Sequence, residues 1–325
     1  MAKGYNQCFG VDYEETYTPV AKFTSIRSVL SIGALLDLEI HQMDIKTASL
    51  HGDLEEEIFM AIPEGVSAPD KSVCRLRRSL YGLKQSPRCW NRKIDDFVVS
   101  LDFNRLESDH SIYVCSTPNN PDFSIVALYV DDLLILTKNP AIMSSLKGKL
   151  ASRFEMSDCG EVSHFLGISM LRDRSRRTIS IHQEHFASQI LERFGMSECH
   201  AVATPLDPSI KLCRAPSEGE ITEKSADAAD KPADTTLFRS IVGSLMYLMV
   251  STRPDIASAI GIISQFAADP RQSHLNAAKR MLRYIRGSTN LKLHLGAPDA
   301  TSGTTADNIR IIGYSDANWG NDLDS

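Results

Sequence analysis

Two adjacent aspartates, Asp131 and Asp132, lie between two apolar runs, residues 124 to 128 (Ser-Ile-Val-Ala-Leu) and 133 to 136 (Leu-Leu-Ile-Leu). Both runs read as buried strands, which puts Tyr129-Val130-Asp131-Asp132 at the tip of a hairpin. Neighbouring carboxylates repel each other unless solvent or a cation neutralises them. Aspartate is also a good turn former, and a lone Asp-Asp hairpin needs no further explanation. A third aspartate changes the weighing. Asp44 ends the strand-like segment Leu38-Glu39-Ile40-His41-Gln42-Met43. If the two strand ends meet, three carboxylates converge, an arrangement suited to two-metal phosphoryl chemistry.

Joining nucleotides requires activating a primer hydroxyl and neutralising a triphosphate. Two Mg2+ ions roughly 4 Å apart do both when carboxylates bridge them, with Mn2+ as the alternative ion. On that reading Asp44 and Asp131 are the ligands and Asp132 is the supporting carboxylate. Such a site also needs a groove for a polyanion. Between Arg75 and Lys93 stand Arg75, Arg77, Arg78, Lys84, Arg88, Arg92 and Lys93, with no acidic residue among them. In a chain that is net acidic such sorting is informative, and it favours a polyanion groove over a solvated helix face. Gly82, within Tyr81-Gly82-Leu83-Lys84, offers a place where backbone can approach a base pair closely. The turn from Arg172 to Arg177, with Arg174 and Arg176, and the row Lys279, Arg280, Arg283, Arg286 are further phosphate-contact candidates. For the turn, a solvated surface is the preferred reading.

The elements that must position these residues follow from pattern. Residues 25 to 37 place Ile26, Val29, Leu30, Gly33 and Leu36 on one helical face ahead of the Asp44 strand. Residues 52 to 65 hold an acidic turn, a strand and a Pro-Glu-Gly break. Ser86-Pro87 opens a helix to about residue 101, with serine as cap and proline in the first turn. A helix over 141 to 153 and a hairpin of strands 165 to 171 and 178 to 182 come next, then a helix over 183 to 194 stopped by Gly195. Residues 214 to 235, poor in large apolar side chains, read as a flexible linker. Helices over 236 to 249, 254 to 268 and 273 to 286 precede strand-like segments 291 to 295 and 309 to 314. The last of these leads into Asp316.

The chain has 325 residues, enough for two or three subdomains. A net charge of −6 argues against coating nucleic acid over the whole surface but leaves room for a local basic cleft. No apolar run is long enough to cross a bilayer. Seven scattered cysteines suit a reducing compartment. His182, His185, Cys199 and His200 lack an accompanying Cys-x-x-Cys element and read as ordinary core or surface residues.

Taken together, these segments resemble the polymerase of copia-type LTR retrotransposons. The resemblance rests on Gln42-Met43-Asp44-Ile45-Lys46-Thr47-Ala48, Gly52-Asp53-Leu54-Glu55-Glu56, Ser79-Leu80-Tyr81-Gly82-Leu83-Lys84-Gln85-Ser86-Pro87-Arg88 and Tyr129-Val130-Asp131-Asp132. Farther along come Phe165-Leu166-Gly167, Val242-Gly243-Ser244-Leu245-Met246-Tyr247-Leu248, Thr252-Arg253-Pro254-Asp255-Ile256 and Tyr314-Ser315-Asp316-Ala317. It implies an α+β right-hand polymerase, with fingers in 1–22 and 52–85 and palm in 23–51 and 86–182. The thumb would start in 183–213, the linker span 214–235, a helical thumb or tether 236–290, and a truncated ribonuclease H stub 291–325. It further implies a reverse transcriptase cut from a Pol polyprotein, with Asp44, Asp131 and Asp132 as catalytic and metal-binding residues. Ile45, Ser49, Tyr81, Gly82 and Tyr129 would line the nucleotide pocket, and Lys84, Arg88, Arg92, Arg174 and Arg176 would contact nucleic acid. The partners implied are dNTPs and an RNA or DNA template with its primer, in the cytoplasm, a virus-like particle or the nucleus. The rival reading is a catalytically silent remnant or a host-adopted nucleic-acid-binding module.

Ser49 departs from the family pattern, in which a bulky aromatic five residues after the first aspartate blocks a ribose 2′-hydroxyl. Weakened rejection of ribonucleotides is the expectation. The chain also begins within the expected fingers, with Lys3 as the remaining basic residue there. It stops just past Asp316, the first carboxylate of a ribonuclease H centre, so no RNA-strand cleavage is expected.

Overall fold

The structure, a computed structural model, describes residues 1–116, 122–210, 212–214 and 230–296, together with Gly313 and Ser315. In chain order the helices and strands are α1 (Phe23–Leu35), β1 (Glu39–Ile45), α2 (Ala48–His51), β2 (Phe59–Ala61), β3 (Val73–Arg75), α3 (Ser86–Val99), β4 (Asn104–Leu106), β5 (Asp109–Cys115), β6 (Ser124–Tyr129) and β7 (Asp132–Thr137). Then follow α4 (Pro140–Arg153), β8 (Met156–Glu161), β9 (His164–Phe165), β10 (Ile168–Asp173), β11 (Thr178–His182), α5 (Glu184–Arg193), α6 (Thr235–Ser251), α7 (Ala257–Ser264), α8 (Gln272–Arg286) and β12 (Leu293–Gly296). This is a mixed α+β chain, and it divides into two compact units.

The first unit holds residues 1–162 and the turn Asp173–Thr178. Its frame is a six-stranded sheet in the order β4-β5-β6-β7-β1-β8. β5, β6 and β7 form an antiparallel meander, and β1 lies antiparallel between β7 and β8. The two central strands are apolar on both sides, so their sequences run as continuous apolar stretches rather than alternating. Leu133 and Ile135 of β7 face Trp90, Ile94 and Val98 of α3 and Met143, Leu146 and Leu150 of α4. Leu134 and Leu136 point the other way, and both are fully buried. There α1 comes so close that a Cβ on Gly33 would lie 2.7 Å from Leu136 Cδ2 and 2.8 Å from Ile40 Cδ1. Each fully buried leucine of this sheet contributes about 1.5–3 kcal/mol of burial free energy.

The expected helix after Ser86 is present, but serine does not cap it. Gln85 occupies the cap position without a side-chain capping bond, while Ser86 Oγ donates to the Leu80 carbonyl at 2.7 Å. The hydroxyl thus closes the preceding loop instead. Proline remains in the first turn. At α4, Asn139 caps by accepting from the Ala141 N–H at 2.9 Å.

The second unit holds residues 163–172 and 179–295 of those described. It contains the sheet β12-β11-β10-β9 and the helices α5 to α8. Leu166 and Gly167, at φ 50° and 72°, turn the chain between β9 and β10, so the expected continuous strand from 165 is broken there. Asp234 caps α6 by accepting from the N–H groups of Thr236 and Leu237. Phe238, Leu245, Ile256, Ile263, Leu282 and Ile285 make the core between the helices. Where one helix over 254 to 268 is expected, the turn Pro254–Ile256 is a 3₁₀ turn and α7 is shorter.

Arg253 is almost fully buried and forks onto Asp255, with Nε–Oδ1 2.9 Å and Nη2–Oδ2 2.8 Å. It also donates to the carbonyl and hydroxyl of Ser288, tying the start of α7 to the end of α8. The α8 arginines expected on phosphate are engaged within the chain. Arg280 donates to Thr204 Oγ1, Arg283 to the His200 carbonyl and Arg286 to the Ser197 carbonyl. Most of the expected linker, residues 215–229, the expected strand at 309 to 314 apart from Gly313, and Asp316 lie outside the described residues.

Candidate active site

The register of β1 against β7 places Asp44 opposite Asp132. On the other side of β7, Asp132 is opposite Tyr129 of β6, which leaves Val130 and Asp131 as a two-residue hairpin loop. Opposed residues on adjacent strands hold their Cβ atoms about 5 Å apart on one face. Asp131 immediately precedes it in the turn, and its charge acts on Asp132. The strand–turn–strand expected from the apolar runs is therefore present, and residue 44 lies beside residues 131 and 132.

Val130 has φ 58°, while Asp131 is not among the positive-φ residues, the pattern of a type II′ turn. That first position favours glycine; a β-branched residue there is strained. Two hydrogen bonds hold the loop. Trp90 Nε1 of α3 donates to the Val130 carbonyl at 2.7 Å, and the Ile45 N–H donates to the Asp131 carbonyl at 2.9 Å. Gln42 Nε2 donates to Asp132 Oδ1 at 3.0 Å. Gln42 lies two residues before Asp44 on the same strand face, a signal readable from period-two spacing.

Burial pushes the Asp132 carboxyl above the usual carboxylate range, and the charges of Asp131 and Asp44 add to the rise, against the Gln42 hydrogen bond. The field reaches across β1. Burial raises the Cys159 thiol on β8, with Asp44 and Asp132 contributing. Among the described residues no lysine or arginine forms an ion pair with Asp44, Asp131 or Asp132. Nor are any three His, Cys, Asp or Glu side chains drawn together in metal-holding geometry among the described residues. The aspartates are strand neighbours of one charge rather than a closed cage. Such a set of hard carboxylate oxygens fits Mg2+ or Mn2+ better than a soft metal.

Ile45 is buried, and the Tyr129 ring lies 6.3 Å from that of Phe23. Ser49 is on α2, its carbonyl accepting from Ser79 Oγ. Tyr81 is partly exposed and Gly82 has φ 99°; a Cβ there would lie 2.1 Å from the Ala2 carbonyl oxygen. The Ala2 N–H donates to the Tyr81 carbonyl at 2.7 Å. A side-chain clasp follows. Gln7 donates to Gln85 Oε1 and accepts from the Lys84 N–H, while buried Gln85 donates to the Asp12 carbonyl. The sequence pattern did not single out Gln7, Gln85 or the Trp90 N–H as contacts, because their partners are tens of residues away.

The basic run is interleaved with acids. Arg92 pairs with Glu55, Lys93 with Asp53 and Arg75 with Glu57. Arg88 donates to the Tyr17 carbonyl at 3.3 Å, and Lys84 Nζ lies 5.1 Å from the Tyr13 ring centre. A cavity of about 550 Å³ opens there, lined by Arg88, Arg92 and Lys93 together with Glu14, Glu55 and Asp96. The structure does not bring Arg174 to the aspartates. It pairs with Asp37, Glu39 and Glu161 at 3.3, 2.7 and 3.6 Å, at the far end of β1, about 17 Å along the strand from Asp44. Arg176 faces Asp173 at 3.9 Å.

A family profile described as Reverse transcriptase (RNA-dependent DNA polymerase) matches residues 1–208. The chain is 42% identical over 327 aligned positions to the Retrovirus-related Pol polyprotein from transposon TNT 1-94 of Nicotiana tabacum, covering all of this chain and 23% of that protein. It is 37% identical to the corresponding polyprotein from transposon RE1 of Arabidopsis thaliana, again over the whole chain and 20% of the relative. A third, from transposon RE2 of the same plant, is 35% identical over 21% of its length. The chain thus spans about a fifth of the length of these polyproteins. With its motifs collinear from Gln42 to Asp255 and matched relatives along its full length, the chain belongs to the reverse transcriptase family, in the form found in copia-type retrotransposon Pol polyproteins.

Proposed function

We propose that the chain carries an RNA-directed DNA polymerase centre in which Asp44, Asp131 and Asp132 hold two divalent cations. The observation that carries this reading is the β1–β7 register, which sets Asp44 against Asp132 with Asp131 in the adjoining turn. Unpaired by any described cation, the three carboxylates repel one another and gain most from Mg2+. Bound there, Mg2+ supplies charge neutralisation for the triphosphate and lowers the pKa of the primer 3′-hydroxyl.

The chain's own residues then do the positioning. Asp44 and Asp131 hold the ions, and Asp132, kept in place by Gln42, adds a third carboxylate. Ile45 and Tyr129 flank the aspartates on β1 and β6; Tyr81 and Gly82 form the pocket floor, where glycine admits close backbone approach. Ser49 leaves the sugar edge of the pocket open. Lys84, Arg88 and Arg92 provide positive charge toward the template–primer. In this reading residues 23–51 and 86–182 act as palm, 1–22 and 52–85 as fingers, 183–213 as the start of the thumb and 236–290 as thumb or tether. The substrates are dNTPs on a primed RNA or DNA template.

Primer extension on an RNA template tests this directly. Extension that requires Mg2+ and disappears in Asp131→Asn supports the polymerase. Template binding with no extension under any divalent ion would favour a silent nucleic-acid-binding module.

A further inference from the structure

We infer that Trp90 is a positioning residue for the aspartate hairpin, its indole N–H holding the Val130 turn so that Asp131 stays beside Asp132 and Asp44. The inference rests on the polymerase reading of that centre and adds a residue that the aspartate geometry alone does not name.

Both peptide units flanking Asp131 are anchored, from opposite sides. The carbonyl before it accepts from Trp90 at 2.7 Å, and its own carbonyl accepts from Ile45 at 2.9 Å. The second bond belongs to β1, the strand that carries Asp44. The first comes from α3, and without it the loop's helix side has no side-chain bond among the described residues. Val130 makes the anchor necessary. Its φ of 58° is open to glycine at no cost, but a β-branched side chain resists it. A free loop of this sequence relaxes by rotating the Val130–Asp131 peptide, and that rotation carries the Asp131 carboxylate with it.

Trp90 is well built for an anchor. Its side chain is almost fully buried. Its ring meets Phe154 edge-on at 5.2 Å between centroids and lies 5.8 Å from His51. These contacts fix the indole in one orientation, so its only donor is aimed before any substrate arrives.

Trp90→Phe deletes the donor and keeps an aromatic ring in the site, leaving only a small cavity. Expected is a fall in kcat of about tenfold or more with little change in the KM for dNTP, because the misplaced group is a ligand and not a nucleotide contact. The half-saturating Mg2+ concentration should rise about tenfold, as when an outer support of a metal ligand is removed. Val130→Gly separates anchoring from packing. Glycine accepts the turn unaided, so in the Val130→Gly background Trp90→Phe should cost less than about threefold. Equal losses in both backgrounds, or wild-type Mg2+ dependence in Trp90→Phe, would overturn the inference. Amide exchange at Ile45, measured by NMR without substrate, reads the same anchor independently of turnover and should accelerate in Trp90→Phe. If wild type never extends a primer but Ile45 exchange still responds, the polymerase reading falls and the anchor stands. If extension is robust and neither kcat, Mg2+ dependence nor Ile45 exchange changes, the anchor falls.

Discussion

Replacing Asp132 by asparagine should make the metal-free protein more stable, even though it damages the proposed centre. Asp132 faces Asp44 across the β1–β7 pair and adjoins Asp131. Two half-exposed carboxylates about 6 Å apart, at an effective dielectric of about 40, repel by about 1.4 kcal/mol. Weakening the Gln42 hydrogen bond from charge-assisted to neutral returns about 0.5–1 kcal/mol. The net gain is about 0.5–1 kcal/mol, or a Tm increase of about 1–4 °C for a unit of this size. The sign of the pH dependence follows. A carboxyl raised in the folded state binds its proton more tightly there than in the unfolded chain. Its destabilising contribution is therefore absent below the ordinary aspartate pKa near 4 and complete once pH exceeds the raised value. Differential scanning fluorimetry in EDTA should show the variant above wild type at pH 7 and level with it near pH 3.5. Added Mg2+ should reverse the order at pH 7, since wild type binds the ion more tightly. A lower Tm for Asp132→Asn in EDTA, with no response to salt, would refute the argument that these carboxylates repel.

Arg253→Ala should destabilise the helical unit by about 1–3 kcal/mol, because the Asp255 carboxylate loses its fork and Ser288 two donors; urea denaturation followed by circular dichroism checks it. Arg253 holds the Asp255 carboxyl below its ordinary range despite burial, so this stabilisation is present above pH 4 and is lost as pH falls through that lowered value. Gly82→Ala should cost more than about 1 kcal/mol, since φ 99° and the Ala2 carbonyl at 2.1 Å both oppose a Cβ; the chemical midpoint measures it. Single-nucleotide incorporation should show weak discrimination between dNTP and rNTP in wild type and stronger rejection of rNTP in Ser49→Phe. Strong dNTP preference in wild type would contradict the open sugar edge.

The hairpin and its neighbours were legible because their signals are local. The runs 124 to 128 and 133 to 136 are apolar on both faces, as strands at the centre of a covered sheet must be, and the acidic pair had to lie at their tip, Asp131 in the turn and Asp132 opening β7. Asp44 opposite Asp132 required knowing that β1 enters between β7 and β8, a crossover that no local pattern encodes. Family resemblance supplied it. Charges were the least legible. Arg174 has three acidic partners, from Asp37 to Glu161, and two of them stand more than 130 residues upstream. The α8 arginines likewise read as a basic face until the carbonyls of His200 and Ser197 meet them. Ser86 failed as a cap for a related reason, since the Leu80 carbonyl competes for its hydroxyl. Trp90 lies inside the helix expected from Ser86 to about residue 101, while the use of its N–H depended on a loop 40 residues away.

The clasp of Gln7 and Asp12 on Gln85 has a practical consequence for anyone trimming this protein. A version starting after residue 12 would strip the Gln85 amide of its Gln7 and Asp12 partners, and the loop bearing Tyr81 and Gly82 would lose its brace. Expression boundaries drawn at the first long helix would thus remove the support beneath the proposed substrate pocket while leaving Asp44, Asp131 and Asp132 in place.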